Sequence, residues 1–198
     1  MNRIWKAQPE LQSDPDLAKS LQISVISPRA GNLPQTLTSC PVCTTVLIIA
    51  ELGGRDRLVC QVCEFVHWDN PKPVTATLVP TASGIVLVKR KFEPYVGDWC
   101  LPGGFMENSE EPEKSAQREV FEETGLTVEI DRLLGAYSPG KGINVIILFY
   151  LAKMATGTMV AGDDASEVAA FSQQTMPENV AFELHRRMIA QFFDGFKS

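Results

Sequence analysis

Apolar residues fall along this chain in short runs of two different periods. From residue 74 onward, VTATLVP (74–80) and GIVLVKR (84–90) are apolar, β-branched runs around TASG, which predicts two adjacent strands. LTVEIDRLLGAYS (126–138) and INVIILFYLAKM (143–154) repeat the theme around the turn PGKG. The second is too rich in Ile, Val and Phe for a surface strand and is predicted to be central. EVAAF (167–171) reads as a further strand. Two stretches follow helical spacing instead. Pro112 suits the first helical position, with Glu111 as a cap, and Gly125 suits the residue just past the end, so a helix is predicted over 112–124. Its Ala116 and Val120 turn toward the core. After Pro177, NVAFELHRRMIAQFF puts Phe182, Ile189, Phe192 and Phe193 at near-helical spacing, a closing amphipathic helix whose aromatics belong to the core. Strands interleaved with two helices make the fold class α+β.

The first 70 residues follow a different pattern. Residues 1–39 carry Pro9, Pro15, Pro28 and Pro34 and no long periodic run, and read as an arm or linker. TTVLIIA (44–50) and DRLVC (56–60) read as short β arms around ELGGRD, where Gly53-Gly54 suits a hairpin. DNPKP (69–73) marks an extended boundary. The expected division is therefore 1–39, 40–70 and 71–198.

Cysteine spacing gives the middle segment its chemistry. Four of the five cysteines form two pairs, Cys40-Pro-Val-Cys43 and Cys60-Gln-Val-Cys63, 16 residues apart. Two such knuckles are the ligand pattern of a tetrahedral zinc site, and a unit this small needs the metal for much of its stability. Disulfides or a redox pair are the alternatives. The start lacks the apolar stretch of a secretory signal, which argues against disulfides and for the cytoplasm. Cys100 stands apart and reads as a small packing residue. No apolar run reaches the roughly 18 residues of a membrane span.

Charge adds one constraint. Of the net −6, residues 1–39 contribute +1, residues 40–70 contribute −2 and residues 71–198 contribute −5. An acidic main domain argues against a broad nucleic-acid interface and is compatible with divalent cations that meet an anionic substrate.

The acidity is concentrated. GGFMENSEEPEKSAQREVFEETGL (103–126) holds seven glutamates against one lysine and one arginine. On the predicted helix Glu119, Glu122 and Glu123 share an arc of roughly 100°, a spacing at which like charges repel. One guanidinium, that of Arg118, does not neutralise three carboxylates, whereas Mg²⁺ takes carboxylates together with substrate phosphates. A solvated acidic face is the plainer alternative. Against it stands LPGG, whose glycines allow backbone carbonyls to approach a metal closely.

Gly104, Glu110, Arg118, Glu119, Val120, Glu122, Glu123, Gly125 and Leu126 match the Nudix box, G-x5-E-x7-R-E-U-x-E-E-x-G-U, at all nine defined positions within 23 residues. The chain thus resembles a Nudix hydrolase over about residues 74–195. The resemblance implies an α/β/α sandwich with a mixed sheet and hydrolysis of a nucleoside diphosphate linked to another group. It implies that Glu119, Glu122, Glu123 and the Gly103 carbonyl ligate Mg²⁺ or Mn²⁺, that Arg118 orients Glu119, and that Glu110 supports the loop. The proton acceptor is a box glutamate such as Glu119 or a later acid, for which Glu167 is the candidate; the alternative for Glu167 is a surface acid beside Asp163 and Asp164. The ribbon followed by NPKP is similar to the NADH pyrophosphatase and ADP-ribose/FAD pyrophosphatase branches.

Substrate choice lies outside the box. AYSPG (136–140), GDDASEVAAF and NVAFELHRRMI resemble segments of ADP-ribose-acting relatives, whereas S-Q-P-W-P-F-P-x-S of NADH pyrophosphatases is absent. The expected substrate is ADP-ribose or a similar dinucleotide such as FAD or NADH, cleaved to AMP and the other phosphorylated half. The rival classes are a non-catalytic zinc-ribbon regulator binding nucleotide or nucleic acid, and an RNA cap-processing hydrolase. The resemblance also suggests a homodimer. Phe105, Tyr95, Trp99 and Tyr137 are candidates to stack on adenine or to fill the core. His67 and His185 read as packing residues. Arg90 or Lys91 could face the phosphates, or end a solvated strand.

Overall fold

The computed structural model describes residues 37–140, 142–162 and 164–196. The arm expected over residues 1–39 lies almost wholly outside these. The chain forms two compact units parted between Asn70 and Pro71.

In the first unit β1 (Ile48–Leu52), β2 (Arg55–Val59) and β3 (Val66–His67) make an antiparallel sheet in that order. Leu52 pairs with Arg55, so the β1–β2 turn has two residues, Gly53 and Gly54, at φ 62° and 75°. Both residues of this tight, right-twisted turn need positive φ, which glycine adopts freely. The first arm starts later than the expected 44–50. Residues 40–44 are taken up by the cysteine turn, in which the Thr44 N–H donates to the Cys40 carbonyl (2.9 Å). Its core is small: Leu47 and Leu58 packed on Cys40 and Cys60.

The second unit holds two sheets. β4 (Lys72–Leu78), β9 (Val145–Gly157) and β8 (Leu126–Tyr137) form the first, with β9 in the middle as its composition predicts. β9 runs parallel to β4 and antiparallel to β8, so the sheet is mixed. In the second, β6 (Gly84–Arg90) pairs with β10 (Ala165–Phe171) along one edge and with β5 (Pro80–Thr81) and β7 (Trp99–Cys100) along the other. The two runs expected as adjacent strands are thus separated. The apolar stretch 74–80 divides near Val79 between the two sheets, and only its end, β5, pairs with β6.

Strand alternation distributes side chains to two sides. On β4, Ala76 and Leu78 join Ile85 and Leu87 of β6, Phe149 of β9 and Met188 and Ile189 of helix α2 (Glu183–Phe193). On the opposite face Thr75 meets Ser115 of helix α1 (Pro112–Thr124), and Val79 and Val86 pack on Val120. Sheets between two helices make the expected α/β/α arrangement. Full burial of side chains such as Phe149 and Leu87 contributes roughly 1.5–3 kcal/mol each. No helix among the described residues is long and apolar enough to cross a membrane.

Candidate active site

Helix α1 has the bounds its sequence predicts. Pro112 opens it. Glu111 precedes it in an extended conformation without capping through its side chain, which corrects the expected cap. Gly125 closes it at φ 71°, donating its N–H to the Phe121 carbonyl at 2.8 Å.

The loop before α1 lies along the free edge of β4. Thr75 and Thr77 N–H groups donate to the Gly104 and Pro102 carbonyls, each at 2.9 Å, and Met106 N–H donates to Pro73 (3.2 Å). Two glycines make this approach possible. A Cβ on Gly103 would lie 2.0 Å from the Thr75 carbonyl oxygen, and one on Gly104 would lie 2.6 Å from a Glu119 carboxylate oxygen. Because the carbonyls on either side of it face β4, the Gly103 backbone is turned away from that strand. Its N–H donates to Glu123 Oε2 at 2.9 Å.

Arg118 is the hub of the acidic face. Its Nε and Nη2 donate to the two Glu110 carboxylate oxygens (2.8 and 2.9 Å), and Nη1 donates to Glu119 (2.7 Å) and Glu122 (2.9 Å). Nη2 also donates to the Phe105 carbonyl at 3.2 Å, tying helix to loop. This guanidinium holds the Glu110 carboxyl down to about 2. It does not reach Glu123, which is only 9% exposed. Burial pushes Glu123 up to about 8 against the pull of the Gly103 N–H, with Glu119 and Asp164 adding repulsion. Burial likewise raises Glu119. The cluster therefore has carboxylates in excess of cations and a glycine cradle that a side chain would fill. That donor set fits divalent cations, with Glu119, Glu122, Glu123 and the Gly103 carbonyl as the expected holders.

Not every expected site residue joins the cluster. Glu167, on β10, pairs with Lys89 of β6 at 2.7 Å and is 56% exposed at its side chain. Asp164, treated in the sequence only as a neighbouring surface acid, is the residue of that segment that acts on Glu123. The segment is drawn there because Gly162 and Val160 donate N–H bonds to the last carbonyls of α1, those of Glu123 (3.3 Å) and Thr124 (2.9 Å).

Arg90 ends β6, partly buried there. Its Nε donates to the Pro94 carbonyl (2.6 Å), its guanidinium lies 5.1 Å from the Phe182 ring, and its charge acts on Glu123. Lys91 points its amine over Phe92. Trp99 packs on Phe171 and Tyr137 on Phe149, so both serve the core, while Tyr95 and Phe105 are exposed. His67 lies in β3. Phe182 lies just before α2, not within it. His185 does more than pack: its Nδ1 accepts the Leu101 N–H (3.2 Å), at the start of the glycine loop. Nothing in the sequence signals that link. Cys100 is buried, as expected of a packing residue, and burial, with Glu123 adding to it, pushes its thiol up to about 12.

In the first unit Cys40, Cys43, Cys60 and Cys63 bring their sulfurs within 4.8 Å of one another, and none is disulfide-bonded. Cys40 and Cys63 sulfurs are 3.4 Å apart, as are those of Cys43 and Cys60. Tetrahedral thiolate ligation at a zinc–sulfur distance of ~2.3 Å needs sulfurs spaced by about 3.8 Å, so the cluster can hold a metal ion. Thr45, through its side chain and then its backbone, pulls the Cys43 thiol down to about 6, whereas, against the pull of the Phe65 N–H, burial and the neighbouring sulfurs push Cys63 up to about 12.

Comparison with known proteins agrees with this geometry. The NUDIX domain family model matches residues 71–192. An ADP-ribose pyrophosphatase of Methanocaldococcus jannaschii is 35% identical over 126 residues, 62% of this chain and 73% of that protein. A MutT-like protein of Streptomyces ambofaciens is 34% identical over 100 residues, 50% of this chain and 63% of that protein. The crystal structure of a NUDIX hydrolase from Nitrosomonas europaea superposes with a TM-score of 0.72 at 30% identity, covering 80% of this chain and 94% of that one. A glycine loop laid on β4, a helix whose carboxylates gather around one arginine, and a family match over residues 71–192 of the second unit lead to one conclusion: this chain belongs to the NUDIX family of hydrolases.

Proposed function

We propose that this protein is a Mg²⁺- or Mn²⁺-dependent pyrophosphatase that hydrolyses the diphosphate of ADP-ribose, or of a related dinucleotide such as FAD or NADH, to AMP and the other phosphorylated half. The observation that carries this reading is the convergence of Glu110, Glu119 and Glu122 on Arg118, beside a buried Glu123 to which Arg118 makes no bond. ADP-ribose leads among the substrates because an ADP-ribose pyrophosphatase is 35% identical to this chain.

Glu119, Glu122, Glu123 and the Gly103 carbonyl would hold the cations. When bound, these neutralise diphosphate oxygens and lower the pKa of a water molecule. Arg118 sets the orientation of Glu119 and Glu122, and Glu110 fixes Arg118 through two parallel hydrogen bonds. We assign acceptance of the water's proton to Glu119 ahead of Glu167, because Glu119 sits within the acidic cluster, where burial raises its carboxyl, whereas Glu167 is exposed on β10. In the first unit we assign zinc to Cys40, Cys43, Cys60 and Cys63 in a structural role.

The test is AMP release from a panel of ADP-ribose, FAD, NADH, diadenosine polyphosphates and oxidised deoxynucleotides, with Mg²⁺ and with Mn²⁺. The expected outcome is metal-dependent cleavage of ADP-ribose that falls about 100-fold or more in Glu122→Gln. Cleavage that persists in Glu122→Gln, or a preference for deoxynucleotide triphosphates, would overturn the proposal.

A further inference from the structure

The acidic cradle accounts for a diphosphate but not for what lies at its ends. We propose that Tyr95 and Phe182 form the nucleobase subsite, with Tyr95 as the stacking platform; this rests on the nucleotide pyrophosphatase reading above. Tyr95 lies in the loop between β6 and β7 and Phe182 just before α2, 87 positions later in the chain. Their rings meet edge to face, with centroids 5.2 Å apart and planes at 83°.

Both residues hold φ values that side chains rarely adopt, 66° at Tyr95 and 60° at Phe182. The surrounding backbone fixes each of them. Asp98 N–H donates to the Tyr95 carbonyl (3.1 Å), and Gly97 N–H and the Arg90 carbonyl are bonded at 2.9 Å. Asn179 Nδ2 pins the same loop through the Gly97 carbonyl at 3.2 Å. His185 and Arg186 N–H groups both donate to the Phe182 carbonyl, at 3.1 and 3.2 Å. Backbone strain of this kind collects at functional sites. Core packing does not account for it at Tyr95, which is 53% exposed.

Arg90 and one backbone hydrogen bond link the aromatic corner to the acidic side. Arg90, whose guanidinium lies 5.1 Å from the Phe182 ring, also acts on Glu123. The Asp164 carbonyl accepts the Lys91 N–H at 3.0 Å, joining the acidic side to the start of the Tyr95 loop. A flat heteroaromatic ring entering the corner can stack on one ring while meeting the other edge-on. A sugar or inositol ring has no π-face and offers these rings only the weaker contact of its C–H groups. The occupant we assign is the adenine base, the flat heteroaromatic ring common to ADP-ribose, FAD and NADH.

The experiment compares AMP with ribose 5-phosphate as ligands of the full-length protein by titration calorimetry, using wild type, Tyr95→Phe and Tyr95→Ala. The exposed position of Tyr95 keeps both variants foldable. Wild type is expected to bind AMP more tightly than ribose 5-phosphate. Tyr95→Ala should lose about tenfold in AMP affinity with ribose 5-phosphate unchanged, and Tyr95→Phe should retain it. With ADP-ribose, Tyr95→Ala should raise KM more than it lowers kcat. Equal wild-type affinity for the two ligands, or AMP affinity indifferent to Tyr95→Ala, overturns the subsite. If AMP binding depends on Tyr95 but no dinucleotide is cleaved, the subsite stands and the reaction assignment falls. If ADP-ribose is cleaved with parameters indifferent to Tyr95→Ala, the reverse holds.

Discussion

At the residue scale, the site depends on where atoms are missing as much as on where charges are placed. Gly104 leaves room for the Glu119 carboxylate, and a methyl group there would lie 2.6 Å from it. Because Glu119 is the far end of a flexible side chain, Gly104→Ala should fold, with an unchanged far-ultraviolet spectrum, while ADP-ribose turnover falls roughly 10- to 100-fold. Glu123 gives a pH prediction. Its carboxyl sits at about 8 in the folded, metal-free protein, against an ordinary 4.5. Between those values the folded state binds the extra proton, so stability is greatest below about 4.5 on this account and is lost as pH rises through 8. Metal-free protein should therefore show a Glu123-dependent fall in Tm between pH 5 and pH 8, and Glu123→Gln should flatten that component. Cation affinity should rise over the same window, since the carboxylate must lose its proton to ligate. Glu119 and Glu123 were legible in the sequence because their spacing is fixed by helix geometry, and Gly104 through the resemblance to the Nudix box. The Asp164 and His185 contacts were not, because they depend on how segments distant in the chain are brought to the loop and to the end of α1.

At the scale of elements, α1 and the loop before it act as one unit, locked by Arg118 to the Phe105 carbonyl and by Gly103 to Glu123. The helix end depends on Gly125, at φ 71° and with the Thr158 carbonyl oxygen 2.9 Å from any added Cβ. Gly125→Ala should destabilise the second unit by about 1–2 kcal/mol, read as a lower urea midpoint with unchanged slope. Pro112 and Gly125 bounded this helix in the sequence because capping chemistry is local. The strands were legible one by one, and the centrality of β9 followed from its apolar composition. Strand pairing was not. β4 and β6 lie within a few residues of each other along the chain, yet β4 takes β9 and the glycine loop as partners, a choice set by non-local hydrogen bonds that no turn signal encodes.

At the scale of the whole molecule, the two units carry two different donor sets, thiols in the first and carboxylates in the second. The ribbon buries little beyond Leu47, Ala50, Leu58 and Val59 around its cysteines, too small a core to stand alone, whereas the second unit has a fully buried interior. Removing metal from the reduced protein with a chelator should therefore abolish amide-exchange protection in β1–β3 while that of β6 and β9 changes little. Protection of β1–β3 that survives chelation would count against a structural zinc. The central claim is that the acidic face of α1 grips cations which in turn grip a diphosphate. The most direct measurement is Mn²⁺ binding followed by electron paramagnetic resonance, with and without a non-hydrolysable ADP-ribose analogue, in wild type and Glu122→Gln. The expected result is Mn²⁺ bound by wild type, held more tightly when the analogue is present, and an affinity at least about tenfold weaker in Glu122→Gln. Equal Mn²⁺ affinity in the two proteins, indifferent to the analogue, would contradict the account.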